Sequence, residues 1–287
     1  NVRRTLRAEE KMKKIIITSV LVVCVAINCY SIILPDGNKI TASKIETYVS
    51  GKLKKVDFSG SVNIKTSVGD ISFIKELEYY ENGNLLGGYI EDVIQIPTKY
   101  GNIEADTLLR FFESGALNTC YIQKQDQIIQ TKIGGILASE RIHFNENGTI
   151  NSLQSYYFDT TINNNDLKFW LLQFDDNENL VYGRIEKGTI RDSFDNMLEP
   201  SEIYIKNNGK ELYLPSVKPI VVQVNQLFVS ITSTYISENF IAYLPQNKIK
   251  LNDITFGDNV FFLLDNNGKL VGKGIIDKKN SITVTFF

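Results

Sequence analysis

Short hairpin-like segments recur along this chain at a nearly constant interval, and this recurrence constrains the fold more than any other feature. Each segment combines aromatic residues, an acid or amide, a glycine and usually an aliphatic residue, as in YYENGNL (79–85) and FFESGAL (111–117). Gly51, Gly83, Gly115 and Gly148 are 32, 32 and 33 residues apart. Because a fixed period of roughly 20–50 residues is typical of repeat architectures, the sequence predicts about eight copies of one supersecondary unit.

The centre of each segment predicts a tight turn between two strands. In YYENGNL, the pair Asn82-Gly83 favours a type I′ hairpin, because both residues tolerate a positive φ. Glu178-Asn179 and Glu238-Asn239 occupy comparable places in two less regular copies, and the stretch that follows each hairpin is long enough for another short strand and turn. The predicted structural turn residues are Gly51, Asn82, Gly83, Gly115, Asn147, Gly148, Gly209 and Gly268.

The composition agrees with a folded chain that is rich in strands. Hydrophobic residues make up 43% and charged residues 22%, with 16 Phe and 14 Tyr, which is a globular composition that favours β-structure. We therefore expect an all-β fold of tandem antiparallel β-hairpin repeats forming one extended or curled sheet. One continuous repeat domain is expected over residues 31–287, with a soft boundary near residues 215–219 as the alternative.

A targeting signal precedes the repeats. From Met12 the chain reads MKKIIITSVLVVCVAINCYS, in which two lysines are followed by an apolar run and then by small or polar residues. This pattern predicts a secretory signal-peptide helix over residues 12–30, with an uncleaved anchor as the alternative. Residues 1–11 contain no Met and are interpreted as translated upstream sequence.

Cys29 is a candidate lipidation site, because the segment VAIN before it resembles a relaxed bacterial lipobox. Asn28 precedes the cysteine, and Ala26 stands where a Leu is usual. Ordinary cleavage after Ala26 or Ser31 is the alternative. In either case the pattern predicts an exported protein located in the periplasm, in association with the outer membrane, or on the cell surface. Contact with a membrane is expected only through the signal or the lipid anchor.

The repeated hairpins resemble two groups of proteins. YYENGNL is similar to the units of bacterial MORN-type repeats, and FFESGALNTCYIQKQDQIIQ (111–130) is similar to exported repeat proteins of spirochaetes and other host-associated bacteria. The resemblance extends well over residues 45–186 and loosely over 200–287. It implies an exported all-β repeat protein that serves as a scaffold or binding module, and it implies no reaction.

The candidate chemical residues are few. His143 is the only histidine and is expected to replace an aromatic strand residue, at the position that Tyr79 and Phe111 occupy in other copies. The acidic segment FDDNENL (174–180) lacks the ligand spacing of a calcium-binding loop, and the paired glycines lack a phosphate-loop motif. An aromatic-rich middle is the candidate ligand face, and its residues are Tyr156, Tyr157 and Trp170.

These observations favour a binding protein over an enzyme. Outside the basic residues 1–14, the chain has 25 basic and 31 acidic residues, which is no electrostatic footprint for nucleic acid. The sequence predicts a non-enzymatic, exported cell-envelope repeat protein with a scaffold or binding role, a protein or envelope partner, and neither cofactor nor metal. The alternative is a MORN-like immunity or antitoxin-type protein. An outer-membrane β-barrel and a glycan-active enzyme are weaker alternatives.

Overall fold

The computed structural model describes residues 30–122, 127–162, 165–207, 210–224, 227–251, 254–257, 259–276 and 282–287. Within these ranges every regular element is a β-strand and no α-helix occurs. The prediction of an all-β chain built from tandem antiparallel hairpins is therefore confirmed. Residues 1–11 and all of the predicted signal peptide except Tyr30 lie outside the described residues.

The described chain forms two compact units. The first comprises the residues up to Thr66 together with Asp70–Tyr89, and the second comprises Ser67–Gly69 together with Ile90–Phe287. This division does not test the predicted repeat domain over residues 31–287, which is inferred from the repeat pattern. The domain and its soft boundary near residues 215–219 therefore stay predictions.

The described part of the first unit contains five strands, of which β4 and β5 each extend one residue beyond the bounds of the unit. They are β1 (Tyr30–Ile33), β2 (Lys39–Thr47), β3 (Leu53–Thr66), β4 (Gly69–Tyr79) and β5 (Leu85–Ile90). Strand β2 pairs in antiparallel fashion with both β1 and β3. Val56, Phe73 and Leu77 are fully buried, and each buried side chain of this size stabilises the fold by about 1.5–3 kcal/mol.

The second unit begins with β6, and its described part contains nineteen strands. They are β6 (Ile94–Thr98), β7 (Gly101–Phe111), β8 (Leu117–Tyr121), β9 (Gln127–Thr131), β10 (Gly134–Phe144), β11 (Ile150–Ile162), β12 (Asn165–Phe174), β13 (Leu180–Gly188), β14 (Ile190–Arg191), β15 (Met197–Leu198), β16 (Glu202–Lys206), β17 (Glu211–Val224), β18 (Leu227–Ile236), β19 (Ile241–Pro245), β20 (Ile249–Leu251), β21 (Ile254–Phe256), β22 (Val260–Leu264), β23 (Leu270–Ile276) and β24 (Ile282–Phe286).

An unbroken series of antiparallel pairings links most of these strands. The series runs β7–β8–β10–β11–β12–β13–β16–β17–β18–β19–β22–β23–β24. Strands β6 and β9 pair with β7 and β10, whereas β14–β15 and β20–β21 form small separate ladders. Alternate residues of β7, such as Ile103 and Ala105, are fully buried, as expected of a strand with one core face.

One loop geometry recurs in the hairpins. In YYENGNL, the Tyr80 N–H donates to the Asn84 carbonyl at 2.8 Å and the Gly83 N–H donates to the Tyr80 carbonyl at 2.9 Å, so residues 81–83 form the loop. The same bond pair recurs in loops that begin, among the described residues, at Leu34, Tyr48, Phe112, Asn145, Asp175, Asp192 and Asp265. The repeat is thus visible as repeated hydrogen bonding.

This geometry corrects the predicted type I′ turn. Gly83 has a φ of +96°, while Asn82 is absent from the residues with positive φ. A loop of three residues is ordinarily a type I turn followed by one left-handed residue, so only the last position requires glycine. The Asn82 side chain contributes in another way, because its Oδ1 accepts the Asn84 N–H at 2.9 Å.

A second repeated feature is a distortion inside the long strands. Lys75, Thr107 and Glu140 have φ values of +67°, +58° and +49°, and each is the seventh residue of its strand, β4, β7 or β10. Around the last two, the pairing with the next strand skips residues. A bulge of this kind redirects the side chains that follow it, so it determines which residues of β7 and β10 reach each face.

Candidate binding surface

One row of directly paired residues crosses the sheet of the second unit. Its first part is polar and passes through Arg110, Thr119, His143, Ser152 and Gln173, on β7, β8, β10, β11 and β12. Its second part is aromatic and passes through Tyr182, Tyr204, Tyr213 and Tyr235, on β13, β16, β17 and β18. Because directly opposed residues point to the same face, these side chains share one face.

The four tyrosines, Tyr182, Tyr204, Tyr213 and Tyr235, are called the tyrosine ladder here. The ring centroids of Tyr182 and Tyr204 are 4.9 Å apart and those of Tyr204 and Tyr213 are 5.7 Å apart, with planes inclined by 55° and 39°. The first three rings are half-buried, and Tyr235 is only 3% exposed. Paired aromatic rings add about 0.5–1.5 kcal/mol beyond their burial, so the three half-buried rings form a pre-packed surface. Tyr235 instead belongs to a buried core cluster, against which Tyr213 packs.

The opposite face of the same strands keeps the ladder in place. Gly183, next to Tyr182, is directly opposite Leu172 and Ile203, both fully buried. A Cβ on Gly183 would lie 2.5 Å from the ring of Phe169, a distance that real Cβ atoms do not adopt. Glycine at position 183 therefore leaves the space in which the buried Phe169 ring packs against the backbone of β13.

Arg184 lies beside the ladder in a fixed orientation. Its guanidinium carbon is 5.2 Å from the centre of the Trp170 ring, which is cation–π geometry. Its Nε donates to the Tyr182 hydroxyl at 3.0 Å and lies 3.2 Å from Glu202 Oε1. The Tyr204 hydroxyl donates to the other oxygen of Glu202 at 3.2 Å. These contacts make one connected patch of two ladder tyrosines, an arginine, a tryptophan and a glutamate.

Ionisation of two ladder hydroxyls, those of Tyr182 and Tyr235, is disfavoured. Burial raises the pKa of Tyr182, and the neighbouring Arg184 partly offsets this effect. Burial and then the hydrogen bond to Glu211 raise the pKa of Tyr235 well above its ordinary value. At neutral pH the hydroxyl groups of Tyr182 and Tyr235 are therefore neutral, and a neutral hydroxyl can both donate and accept hydrogen bonds.

His143 occupies a different place from the one expected. Phe144, 4% exposed, is the residue that corresponds to the buried Tyr79 and Phe111, since each ends its eleven-residue strand. His143 precedes Phe144 and corresponds to Arg110 of β7. The alternation of faces along a strand therefore puts His143 on the polar row and not in the core.

The polar row holds His143 by a hydrogen bond. His143 Nδ1 lies 2.9 Å from Thr119 Oγ1, and that hydroxyl donates to Asn118 Oδ1 at 2.6 Å. Burial, and then the charge of Arg141, lower the pKa of His143. The lowered pKa favours the neutral imidazole at neutral pH, and its Nδ1 shares a hydrogen bond with the Thr119 hydroxyl.

The structure brings one of the three predicted ligand-face residues to this surface. Trp170 contacts Arg184 next to the ladder. Tyr156 and Tyr157 belong to β11, but their side chains lie outside the described residues, as do Cys29 and Gly209. The other predicted turn glycines, Gly51, Gly83, Gly115, Gly148 and Gly268, all have positive φ and lie in three-residue loops.

Sequence reasoning missed the ladder itself, although part of it was within reach. In EIYIKNNGKELYL (202–214), the pair Asn-Gly at 208–209 is a sequence signal for a two-residue hairpin loop. Such a loop would place Tyr204 directly opposite Tyr213, which is the pairing observed. The pairing of Tyr182 with Tyr204 could not be predicted from the sequence, because β13 and β16 are not consecutive and β14 and β15 lie between them in the chain.

The remaining described residues provide no comparable candidate for a reactive, metal-binding or membrane-spanning site. Cys120 is a buried free thiol whose pKa burial raises to about 12, so it is unreactive. No group of three or more His, Cys, Asp or Glu side chains is arranged for a metal in the ranges given above. Nor does that part of the chain contain a helix that is long and apolar enough to cross a bilayer.

Two cavities lie in the second unit. One of about 510 Å³ is at the end of the β11–β12 hairpin, with Asp159, Asp166, Lys168 and Lys187 in its wall. The other, of about 290 Å³, lies beside Thr98, Lys99 and Phe144. Neither adjoins the tyrosine ladder.

Comparison with known proteins adds no family. No family model and no curated protein matches the chain. A solved structure described as "Crystal Structure of TcdB2-TccC3-Cdc42" matches at 10% identity with a TM-score of 0.14, over 89% of this chain and 16% of that one. The chain thus spans about one sixth of the protein it matches, and a likeness this low carries no argument about fold or function.

Proposed function

We propose that this protein is a non-enzymatic, exported cell-envelope repeat protein that binds a protein partner through the tyrosine ladder. The observation that carries the proposal is the run of Tyr182, Tyr204 and Tyr213 on three paired strands, with their rings in contact and half-buried. Export to the periplasm, outer membrane or cell surface rests on the signal-peptide pattern from Met12. The MORN-type resemblance supports the scaffold part.

The composition of the patch suits protein recognition. Tyr, Trp and Arg are the residue types most enriched among those that dominate the energy of protein–protein interfaces. Tyrosine supplies a large contact area at a low cost in side-chain entropy. Because the rings of Tyr182 and Tyr204 already contact each other, and Arg184 and Glu202 already bond them, little further ordering is needed on binding.

The experiment that tests this proposal is photo-cross-linking in the native cell. A benzoylphenylalanine residue is placed at position 204 and, in a control, at position 228, where Phe228 is 74% exposed and away from the ladder row. Cells are irradiated and fractionated into cytosol and envelope. We expect the protein in the envelope fraction and one discrete protein adduct from position 204. Adducts from position 228 alone, or a purely cytosolic protein, would contradict the proposal.

A further inference from the structure

Arg184 has hydrogen-bonding capacity that the fold does not use. The guanidinium is ion-paired with Glu202 through Nε, which also donates to the Tyr182 hydroxyl, but neither of its two Nη groups donates a hydrogen bond among the described residues. The side chain is 45% exposed, so these donors face solvent. The cation–π contact with Trp170 restrains the position of the guanidinium.

From this geometry we infer that the protein partner presents a carboxylate to the Nη edge of Arg184. This inference rests on the proposed binding function of the tyrosine ladder and names the chemistry of its partner. The planar guanidinium offers parallel N–H donors that match the two oxygens of an Asp or Glu side chain. A guanidinium already held on two sides loses little freedom when it binds a carboxylate.

The ladder adds a second requirement for the partner. Tyr182 and Tyr204 lie directly next to Arg184 through the shared bonds to the guanidinium and Glu202. Half-buried rings favour an apolar neighbour, so the partner segment carries an acidic residue close to an apolar one. A central apolar contact with an adjacent charge-assisted pair is the usual arrangement of an interface hot spot.

The ring geometry argues against a glycan as the occupant. A sugar ring stacks flat on the open face of an aromatic ring. The ladder planes are inclined by 55° and 39° at centroid separations of 4.9 and 5.7 Å. The rings therefore cover part of each other and present edges and hydroxyls, which suits side chains of a protein.

The test uses defined probes, because the partner is unidentified. The full chain is screened against a phage library of random 12-residue peptides and, in parallel, against a glycan array. Enriched peptides are synthesised with their acidic residue intact or changed to the amide. Their dissociation constants are measured by fluorescence anisotropy for the wild type, Arg184→Gln, Tyr204→Ala and the charge-matched control Arg191→Gln. Arg191 is likewise exposed but pairs with Asp195.

We expect peptides that combine Asp or Glu with an apolar residue. Their affinity falls about 10-fold or more with Arg184→Gln, falls equally when the peptide acid becomes an amide, and is unchanged with Arg191→Gln. Peptides that need Tyr204 but ignore Arg184 overturn the carboxylate inference and leave the proposed function standing. Glycan binding alone overturns the protein partner. If every ligand found is insensitive to Tyr204→Ala, or if neither screen yields a ligand, the carboxylate inference and the proposed function are both overturned.

Discussion

At the scale of single residues, the same loop geometry is filled in two ways. The left-handed position is glycine in most of the three-residue loops, as at Gly83 with φ +96°, but is Glu178 and Asp195 in two of them, with φ +65° and +66°. A side chain at this conformation costs about 1–2 kcal/mol. Glu178 offsets the cost through contacts with Lys99 and Tyr100, and Asp195 through its pair with Arg191.

Gly83→Val is expected to destabilise its hairpin. The space is available, since a Cβ there would lie 3.6 Å from the Cβ of Pro35, but a β-branched residue resists the positive φ. We expect a loss of about 1–2 kcal/mol in the free energy of unfolding. Glu81→Val, in the same loop at an ordinary φ, is the control and should change little. Equal urea midpoints for the two variants would show that the turn is wrongly described.

Tyr243→Phe is expected to destabilise the second unit. The Tyr243 hydroxyl is buried, donates to Asp192, and accepts the Asn196 side-chain N–H at 3.2 Å. Its removal takes a hydrogen bond from a buried carboxylate, at a cost of about 2 kcal/mol. Urea unfolding at pH 7 measures the loss, and an unchanged midpoint would mean that the buried network contributes nothing.

The same substitution changes the alkaline stability. Burial, and then the charge of Asp192, raise the pKa of Tyr243. In the unfolded chain a tyrosine ionises at a pH of about 10. A folded pKa above the unfolded one contributes stability that is complete below pH 10 and is lost as the pH rises beyond it. The stability of Tyr243→Phe should therefore fall less steeply above pH 10 than that of the wild type, and parallel curves would contradict this.

At the scale of elements, turns of neighbouring repeats bind a more distant loop. Tyr100, in the turn between β6 and β7, accepts the Ile150 N–H at 3.0 Å and donates to Glu178. Lys99 lies 2.5 Å from the same carboxylate, and Lys132, in the next equivalent turn, donates to Asn179 Oδ1 at 2.9 Å. These contacts join loop tips that are distant in sequence, so they stabilise the stacking of repeats.

Glu178→Gln tests this junction while keeping the side-chain shape. The bonds from Lys99 and then from Tyr100 lower the pKa of Glu178. A lowered folded pKa gives stability that is present above the unfolded value, near pH 4.3, and is lost as the pH falls through the folded one. Because Lys99 is 45% exposed, we expect a loss of at most about 1 kcal/mol at pH 7. The stabilities of the two proteins should converge as the pH falls through the lowered folded pKa of Glu178, and a constant difference would contradict this assignment.

The sequence predicted the elements better than their connections. Glycine spacing identified the loops at Gly51, Gly83, Gly115 and Gly148, because a positive φ leaves a local signature. The loop at Asp192–Asn196 went unpredicted because Asp195 and not glycine takes the left-handed position. The positive φ at Lys75 and the bulges at Thr107 and Glu140 also lack a sequence signature, since packing with neighbouring strands and not local preference imposes them.

At the scale of the whole molecule, the repeat of the second unit produces a surface that no single hairpin contains. Tyr182, Tyr204, Tyr213 and Tyr235 come from four strands, and the row they share begins at Arg110 on β7. Each strand contributes one side chain to the row. The ladder therefore depends on register across the sheet, which accounts for its absence from any motif in the sequence.

The most direct test of the central claim is the affinity of the partner captured through position 204, measured by calorimetry with the purified chain. We predict that Tyr204→Ala weakens binding at least about 10-fold, as expected of a central interface tyrosine, while the unfolding free energy falls by about 2–4 kcal/mol, because the ring pairs with both Tyr182 and Tyr213. Phe228→Ala removes an exposed aromatic outside the ladder and should leave the affinity unchanged. Equal affinity of Tyr204→Ala and the wild type would contradict the assignment of the ladder as the binding surface.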